Sequence, residues 1–203
     1  MVKQKRLIVG ISGASGAIYG VRLLEVLAER SEIETHLVVS PTARQIMAHE
    51  TGRAMAQVEA LAGHVHAPDD LAAPIASGSF ATDGMAIAPC SIKTLSAVAH
   101  SYAANLMSRA ADVTLKEGRP LVLLVRETPL HLGHLRLAVR AAEIGAVIFP
   151  PVPAFYGRPQ TIADLVDGTV GRVLARLGVE NDLYTRWGEG DGETRGQGEG
   201  ERG

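Results

Sequence analysis

Apolar residues fall in two patterns along this chain. Four short unbroken runs, Leu7 to Ile11, Met85 to Ala88, Leu121 to Val125 and Ala146 to Phe149, are bounded by charged or turn residues, and Ile33 to Val39, interrupted by Glu34, Thr35 and His36, reads as a further strand. Unbroken runs of this length predict strands buried on both faces of a parallel sheet. Between them lie segments with apolar residues at helical spacing, such as Leu23, Leu24 and Leu27 within Ala17 to Arg30. Ser40-Pro41 predicts a helix start, with serine as N-cap and proline at the first helical position. Further helices are expected over Ile92 to His100, Asn105 to Glu117, Leu135 to Ile144 and Ile162 to Leu177. Residues 63–83, rich in His, Asp, Pro and Ser, are expected to be irregular.

Strands alternating with helices predict an α/β fold, a single doubly wound parallel sheet of the Rossmann or flavodoxin-like kind. Ligands of such folds bind in the loops at the carboxyl ends of the strands. The 203 residues suit one domain, expected over 1–187. From Gly188 the chain reads GEGDGETRGQGEGERG, without an aliphatic or aromatic side chain, and 188–203 are expected to form a disordered tail. A net charge of −2 argues against a nucleic-acid or membrane-surface partner, so any basic site is local. The lone Cys90 cannot form an internal disulfide, and no stretch reaches the roughly 20 apolar residues of a membrane helix, so a cytoplasmic location is expected.

Four segments carry candidate chemistry. Gly10-Ile-Ser-Gly-Ala-Ser-Gly16 links the first strand to the first helix. Its small residues allow close backbone approach, the helix N-terminus suits a phosphate, and Ser12 and Ser15 add hydroxyls. The pattern differs from the GxGxxG of dinucleotide binders. Ala88-Pro-Cys-Ser-Ile-Lys-Thr-Leu-Ser96 is a second strand-to-helix turn, with Ser91 and Thr94 able to cap the helix or hold a ligand. Arg126 and Glu127 end the strongest apolar run and are expected in the crevice, whereas Arg109, Lys116 and Arg172 belong to helical segments. Pro150 to Pro159 is a proline-dense loop carrying Phe155 and Tyr156. The seven histidines show no metal spacing; His64-x-His66, near Asp69 and Asp70, comes nearest, and no metal is expected.

Read together, GISGASGAIYGVRLL at 10–24, APCSIKTLSAVA at 88–99, RAADVTLKEGRPLVLLVRETPLH at 109–131 and GAVIFPPVPAFYGRPQTIADLV at 145–166 resemble the flavin prenyltransferase (UbiX-type) family, within the flavin-containing cysteine decarboxylase-like superfamily. The resemblance covers about residues 5–179. It implies flavin mononucleotide (FMN), in reduced form, as acceptor, held by Gly13, Ala14, Ser15, Ser40, Ser91, Ile92, Lys93, Thr94 and Arg126. It implies dimethylallyl phosphate as donor, gripped by Arg109, Lys116, Arg126, Tyr156 and Arg172. Ser15, Glu50 and Glu127 match the active-site positions of the family. The implied reaction forms bonds at N5 and C6 of the flavin. Its product would serve a UbiD-type decarboxylase, in ubiquinone synthesis or in breakdown of aromatic acids. Family members form large homo-oligomers, often dodecamers, with sites at subunit boundaries. Gly118 stands where relatives often carry a basic residue.

The residues agree with that chemistry. Breaking an allylic C–O bond leaves a cation and a phosphate, and converging Lys and Arg suit a dianionic monophosphate without a metal. The chain lacks an aspartate-rich motif of the sort that holds magnesium and a diphosphate. Proton removal needs an acceptor among Ser15, Glu50, Glu127 and the released phosphate. Two other readings fit the flavin cradle. One is an FMN-dependent cysteine decarboxylase, which would bear a catalytic histidine and a Pro-Ala-Ser-Ala-Asn-Thr-like motif where this chain has Ala88 to Thr94. The other is a non-catalytic flavin carrier, in which the basic residues would be idle.

Overall fold

The computed structural model describes residues 4–188. Six strands, β1 (Lys5–Ile11), β2 (Ile33–Val39), β3 (His64–His66), β4 (Gly84–Cys90), β5 (Leu121–Val125) and β6 (Val147–Ile148), form one parallel sheet in the order β3-β2-β1-β4-β5-β6. Seven helices connect and cover them: α1 (Ala17–Ala28), α2 (Pro41–Thr51), α3 (Met55–Glu59), α4 (Ile92–Ala99), α5 (Leu106–Lys116), α6 (Leu132–Glu143) and α7 (Ile162–Arg176). This is the expected doubly wound sheet, with the Rossmann strand order.

The alternation of side chains along β1 divides the interior in two. Leu7, Val9 and Ile11 face a core built with α1, α2 and α7. Ile8 faces a second core built with α4, α5 and α6. All four side chains are at most 1% exposed, and each contributes about 1.5–3 kcal/mol by leaving water. Two-sided burial explains why these strands read as continuous apolar runs.

Local signals agree with the helix starts. The Ser40 hydroxyl accepts the Ala43 N–H of α2, with Pro41 at the first helical position. Asn105 and Thr161 cap α5 and α7 in the same manner. Two differences from the sequence reading stand out. The stretch 63–83 contains β3, whose three residues pair with His36 to Val38 of β2. Two histidines and an edge position hide that strand from a hydrophobicity pattern. The α6 helix begins at Leu132, three residues before the expected Leu135, because the His131 side chain accepts the Gly133 N–H and caps it. The expected tail from Gly188 falls, but for Gly188 itself, outside the described residues.

Helix α1 crosses β4 so closely that a Cβ at Gly20 would lie 2.2 Å from the Ala88 carbonyl oxygen and 2.9 Å from Ile11 side-chain carbons. Alanine is the better helix former by about 1 kcal/mol, but forced overpacking costs about 1–3 kcal/mol, and here the obstacle is backbone. Gly20→Ala should therefore lower the midpoint of urea unfolding. An unchanged or raised midpoint would show that α1 can ride away from the sheet.

Candidate active site

The order β3-β2-β1-β4-β5-β6 places a topological switch between β1 and β4, where successive connections leave in opposite directions and a crevice opens. Both strand-to-helix turns, after β1 and after β4, lie there. Ser12, 1% exposed, ties them together. Its hydroxyl donates to the Pro89 carbonyl at 2.9 Å and accepts the Ser91 N–H at 2.8 Å. Ser12 is thus a strut between the two loops and offers nothing to a ligand. Ser91 caps α4 by accepting the Thr94 N–H, and the two hydroxyls lie 3.1 Å apart.

The first loop departs from its expected role. The N-terminus of α1 is already occupied by a carboxylate of the chain itself: Glu50, on α2, accepts the Gly16 N–H at 2.8 Å and the Ala17 N–H at 3.1 Å. A phosphate cannot also take those donors. Partial burial alone would raise the Glu50 pKa, but hydrogen bonds from Ser15, Gly16 and Ala17 and the nearby Arg126 charge outweigh it, and the group sits below the ordinary carboxylate value. The preceding glycine marks a close approach: a Cβ at Gly13 would lie 2.8 Å from the Thr42 side chain. Gly16 has φ 99°, a left-handed conformation that favours glycine.

Arg126 follows β5, and its backbone N–H bonds the Cys90 carbonyl at 3.1 Å, fixing it beside the end of β4. Its side chain reaches the Gly16 turn and acts electrostatically on both Glu50 and Tyr19. Burial raises the Tyr19 pKa, while Arg126 and a hydrogen bond with Thr169 oppose the rise. Ser15, Glu50, Arg126 and Tyr19 therefore form one polar cluster at the mouth of the crevice. Tyr19 was missed by sequence reasoning; a tyrosine inside a helical segment carries no mark of its surroundings, although it lies within the distinctive GAIYG run.

On the other side of the crevice, Ser40, Thr94, Asn105 and Met107 border a cavity of about 360 Å³ with Pro68 and Asp69. Gly13, Ala14, Ser15, Ser40, Ser91, Ile92, Thr94 and Arg126 are thus gathered around the carboxyl ends of β1, β2, β4 and β5. Lys93, in the same α4 turn, is exposed. Small residues for close approach, backbone amides and hydroxyls are a donor set that fits a flavin nucleotide. Glu127 is exposed and accepts the Thr128 N–H at 3.1 Å.

The expected phosphate-gripping residues do not converge within one chain. Tyr156 and Arg172 line a cavity of about 290 Å³ together with Arg158 and Asp164, and the Arg172 guanidinium lies 5.4 Å from the Phe149 ring centroid. That cavity belongs to α7, on the α1 face of the sheet. Arg109 and Lys116 ride α5 on the opposite face. Arg109 bonds the Ala76 carbonyl at 3.0 Å and Asp112 at 3.1 Å. Lys116 pairs with Glu117 over Gly78, towards the amino ends of the strands. Cys90 is fully buried, and burial pushes its thiol pKa far up, so it is no nucleophile.

Comparison with known proteins agrees with this arrangement. A family model described as Flavoprotein matches residues 1–174. Flavin prenyltransferase UbiX of Escherichia coli (strain K12) is 63% identical over 185 residues, covering 90% of this chain and 98% of that protein. The enzyme of the same description from Thauera aromatica is 56% identical over 182 residues, covering 90% and 93%. Among solved structures, AnUbiX (PadA1) in complex with FMN and dimethylallyl pyrophosphate superposes with a TM-score of 0.88 at 47% identity, covering 91% of this chain and 97% of that one. A dodecameric FMN-dependent UbiX-like decarboxylase from Escherichia coli O157:H7 gives 0.87 at 48%, covering 90% and 98%. FMN-dependent cysteine decarboxylases such as SpaF, at 21% identity and a TM-score of 0.59, share the fold alone. The chain belongs to the Flavoprotein family and, within it, to the flavin prenyltransferases of the UbiX type.

Proposed function

We propose that this chain transfers a dimethylallyl group from dimethylallyl phosphate to N5 and C6 of reduced FMN, and that the prenylated flavin passes to a UbiD-type decarboxylase. The observation that carries the reading is the cluster of Ser15, Glu50, Arg126 and Tyr19 at the mouth of a glycine- and hydroxyl-lined crevice, in a chain 63% identical to a flavin prenyltransferase. Reduced FMN supplies the nucleophilic ring edge. Gly13, Ala14 and Ser15 would line its ring, and Ser40, Ser91, Ile92, Lys93 and Thr94 would hold its remaining length.

The reaction asks three things of the protein. Water must be kept from the allylic cation, which it would otherwise capture. Arg126, Arg172 and Tyr156 supply charge and a hydroxyl to the departing phosphate as its negative charge develops. Ser15, Glu50 and Glu127 border the reacting edge, where protons must leave; the Ser15–Glu50 hydrogen bond orients the serine hydroxyl. Aromatic surface near the cation adds attraction of ~1–2 kcal/mol when desolvated.

A complete phosphate site is assembled between subunits. Arg109 and Lys116 stand on the opposite face from Arg172 and Tyr156, so one chain cannot bring all four to one phosphate. Exposed apolar residues continue this argument: Leu132 (60%), Val139 (58%), Phe155 (70%) and Ile162 (75%) are far more open than a solitary monomer favours. A homo-oligomer, up to a dodecamer, would cover them and could bring Arg109 and Lys116 of one chain to Arg172 and Tyr156 of another. Trp187 packs edge-on against Tyr156 at 5.5 Å, so this loop and the chain's end would meet the neighbour together. No described helix is long and apolar enough to cross a membrane, and the enzyme is read as cytoplasmic.

Three outcomes are expected. Anaerobic incubation with reduced FMN and dimethylallyl phosphate should yield flavin heavier by one five-carbon prenyl unit on mass analysis; unchanged flavin would overturn the reading for this donor. Arg172→Ala should lose about 10²–10³-fold in turnover while FMN still co-purifies, since the donor phosphate loses a charge and the flavin cradle is untouched. Loss of both together would place Arg172 in the flavin site instead. Glu50→Gln should destabilise the fold by about 0.5–2 kcal/mol at neutral pH, the range for losing a helix cap. Because the Glu50 pKa is depressed in the folded state, that stabilisation is complete above the ordinary value of 4.5 and disappears as pH falls through the lower folded value. Urea midpoints of the two proteins should therefore converge in acid; a constant gap would refute the charge argument.

A further inference from the structure

Far from the flavin crevice, the pairing of β2 with β3 gathers four ionisable side chains on one face of the sheet edge. Residues Glu34 and His36 are two apart on β2 and share a face. His64 is the registered partner of His36, and His66 follows two residues on along β3. The Nε2 atoms of His36 and His64 lie 3.4 and 2.9 Å from Oε1 of Glu34, and the three atoms fall within 4.8 Å of one another.

We propose that Glu34, His36 and His64 bind one divalent transition-metal ion, zinc by the chemistry of the set. Two imidazoles and one carboxylate form a known zinc ligand set that leaves a fourth position for water. Ligand atoms at ~2.0–2.1 Å from a tetrahedral zinc stand about 3.4 Å apart, so the present spacing needs only small side-chain adjustments.

An independent observation points to a ligand here. His36 is 2% exposed, yet its Nε2 is buried without a hydrogen-bond partner. Its other nitrogen, Nδ1, is engaged with His66 Nε2 at 2.9 Å. With Nδ1 carrying the proton and donating to His66, Nε2 presents a bare lone pair towards the Glu34 carboxylate. In that tautomer a cation between Nε2 and the carboxylate satisfies both groups; in the other tautomer Nε2–H points at Glu34 Oε1, 3.4 Å away.

The surroundings resemble a prepared outer shell. Arg6 bonds Oε2 of Glu34 at 2.7 Å and leaves Oε1 to face the histidines. The Arg6 guanidinium lies 4.8 Å from the centroid of Phe80, whose ring meets His36 edge-on at 5.2 Å. The hydrogen bond to His66 fixes the orientation of the His36 ring, as the partner of the non-ligating nitrogen does in metal-bound histidines. The His64 side chain is 54% exposed, so an ion can enter from solvent. A bound ion would clamp the three-residue edge strand β3 to β2. Two residues after β3 come Pro68 and Asp69, which border the cavity beside Ser40 and Thr94.

The test uses the full untagged chain, stripped by chelator and exchanged into chelator-free buffer. Calorimetric titration with zinc chloride should give one ion per chain, and cobalt chloride should give the visible absorption of a four-coordinate site. His64→Ala, at an exposed position, and Glu34→Gln, a near-isosteric change of a mostly buried side chain, should each weaken zinc binding at least tenfold, leave far-UV circular dichroism unchanged and leave FMN binding intact. Absence of stoichiometric zinc uptake by the parent chain would overturn the proposal. So would equal binding by parent and both variants, which would place the ion elsewhere on the chain.

Discussion

Ser12 is the interaction on which the working end of this molecule depends. One buried hydroxyl donates to the carbonyl of Pro89 and accepts from the amide of Ser91, and so locks the turn after β1 to the turn after β4. Those turns must lie side by side, because the switch in connection direction opens the crevice between them. They must also leave room, which explains the run of small residues on either side. An unpaired Ser91 amide would cost about 1–3 kcal/mol where it is shielded from water. More important, the spacing of the two loops, and with it the shape of the flavin cradle, would become loose.

Glycines continue the same geometric demand outward. Gly20 lets α1 lie against the end of β4, and Gly13 lets the loop pass Thr42. This places the N-terminus of α1 over the crevice mouth, where its partial positive charge calls for an anion. The fold supplies one from α2, in Glu50. A ligand phosphate is thereby kept off this helix end, which agrees with the proposal that the reacting edge of the flavin, rather than its phosphate, lies beside Ser15.

The sheet was legible in the sequence because its central strands are buried on both faces, and burial of that kind leaves uninterrupted apolar runs. The edge strand β3 was not, since His64-Val-His66 becomes a strand only through pairing with β2. The loop residues of the cradle were legible as small and hydroxyl-bearing residues after strand ends. Glu50 was named by resemblance alone; to the residue pattern it is one acid among several on exposed helix surface until α2 folds back onto α1. Tyr19 is invisible for the same reason. Arg109, Lys116 and Arg172 could be named by resemblance, but their separation onto two faces of the sheet is a fact of three dimensions. The Glu34 and histidine cluster combines both difficulties: its members come from two strands, one of which no pattern reveals.

The electrostatics of the mouth bear on where the protons go. Glu50 is held below the ordinary carboxylate pKa by Ser15, two backbone amides and Arg126, despite the opposing effect of burial. A base is most effective when its pKa lies near the working pH. Glu50 is therefore a weak final acceptor, made weaker by the interactions that hold it in place. A phosphate monoester has a second pKa of about 6, and the phosphate released from the donor has similar basicity. It leaves with the negative charge that the transfer has just created, close to the ring edge from which the protons must depart. Under the proposed reaction this arrangement favours the leaving phosphate as proton acceptor, while Glu50 fixes the α1 terminus. In the proposed reaction the basic residues around the donor would serve twice: they would stabilise the phosphate as it forms and keep it within reach until it has taken its proton.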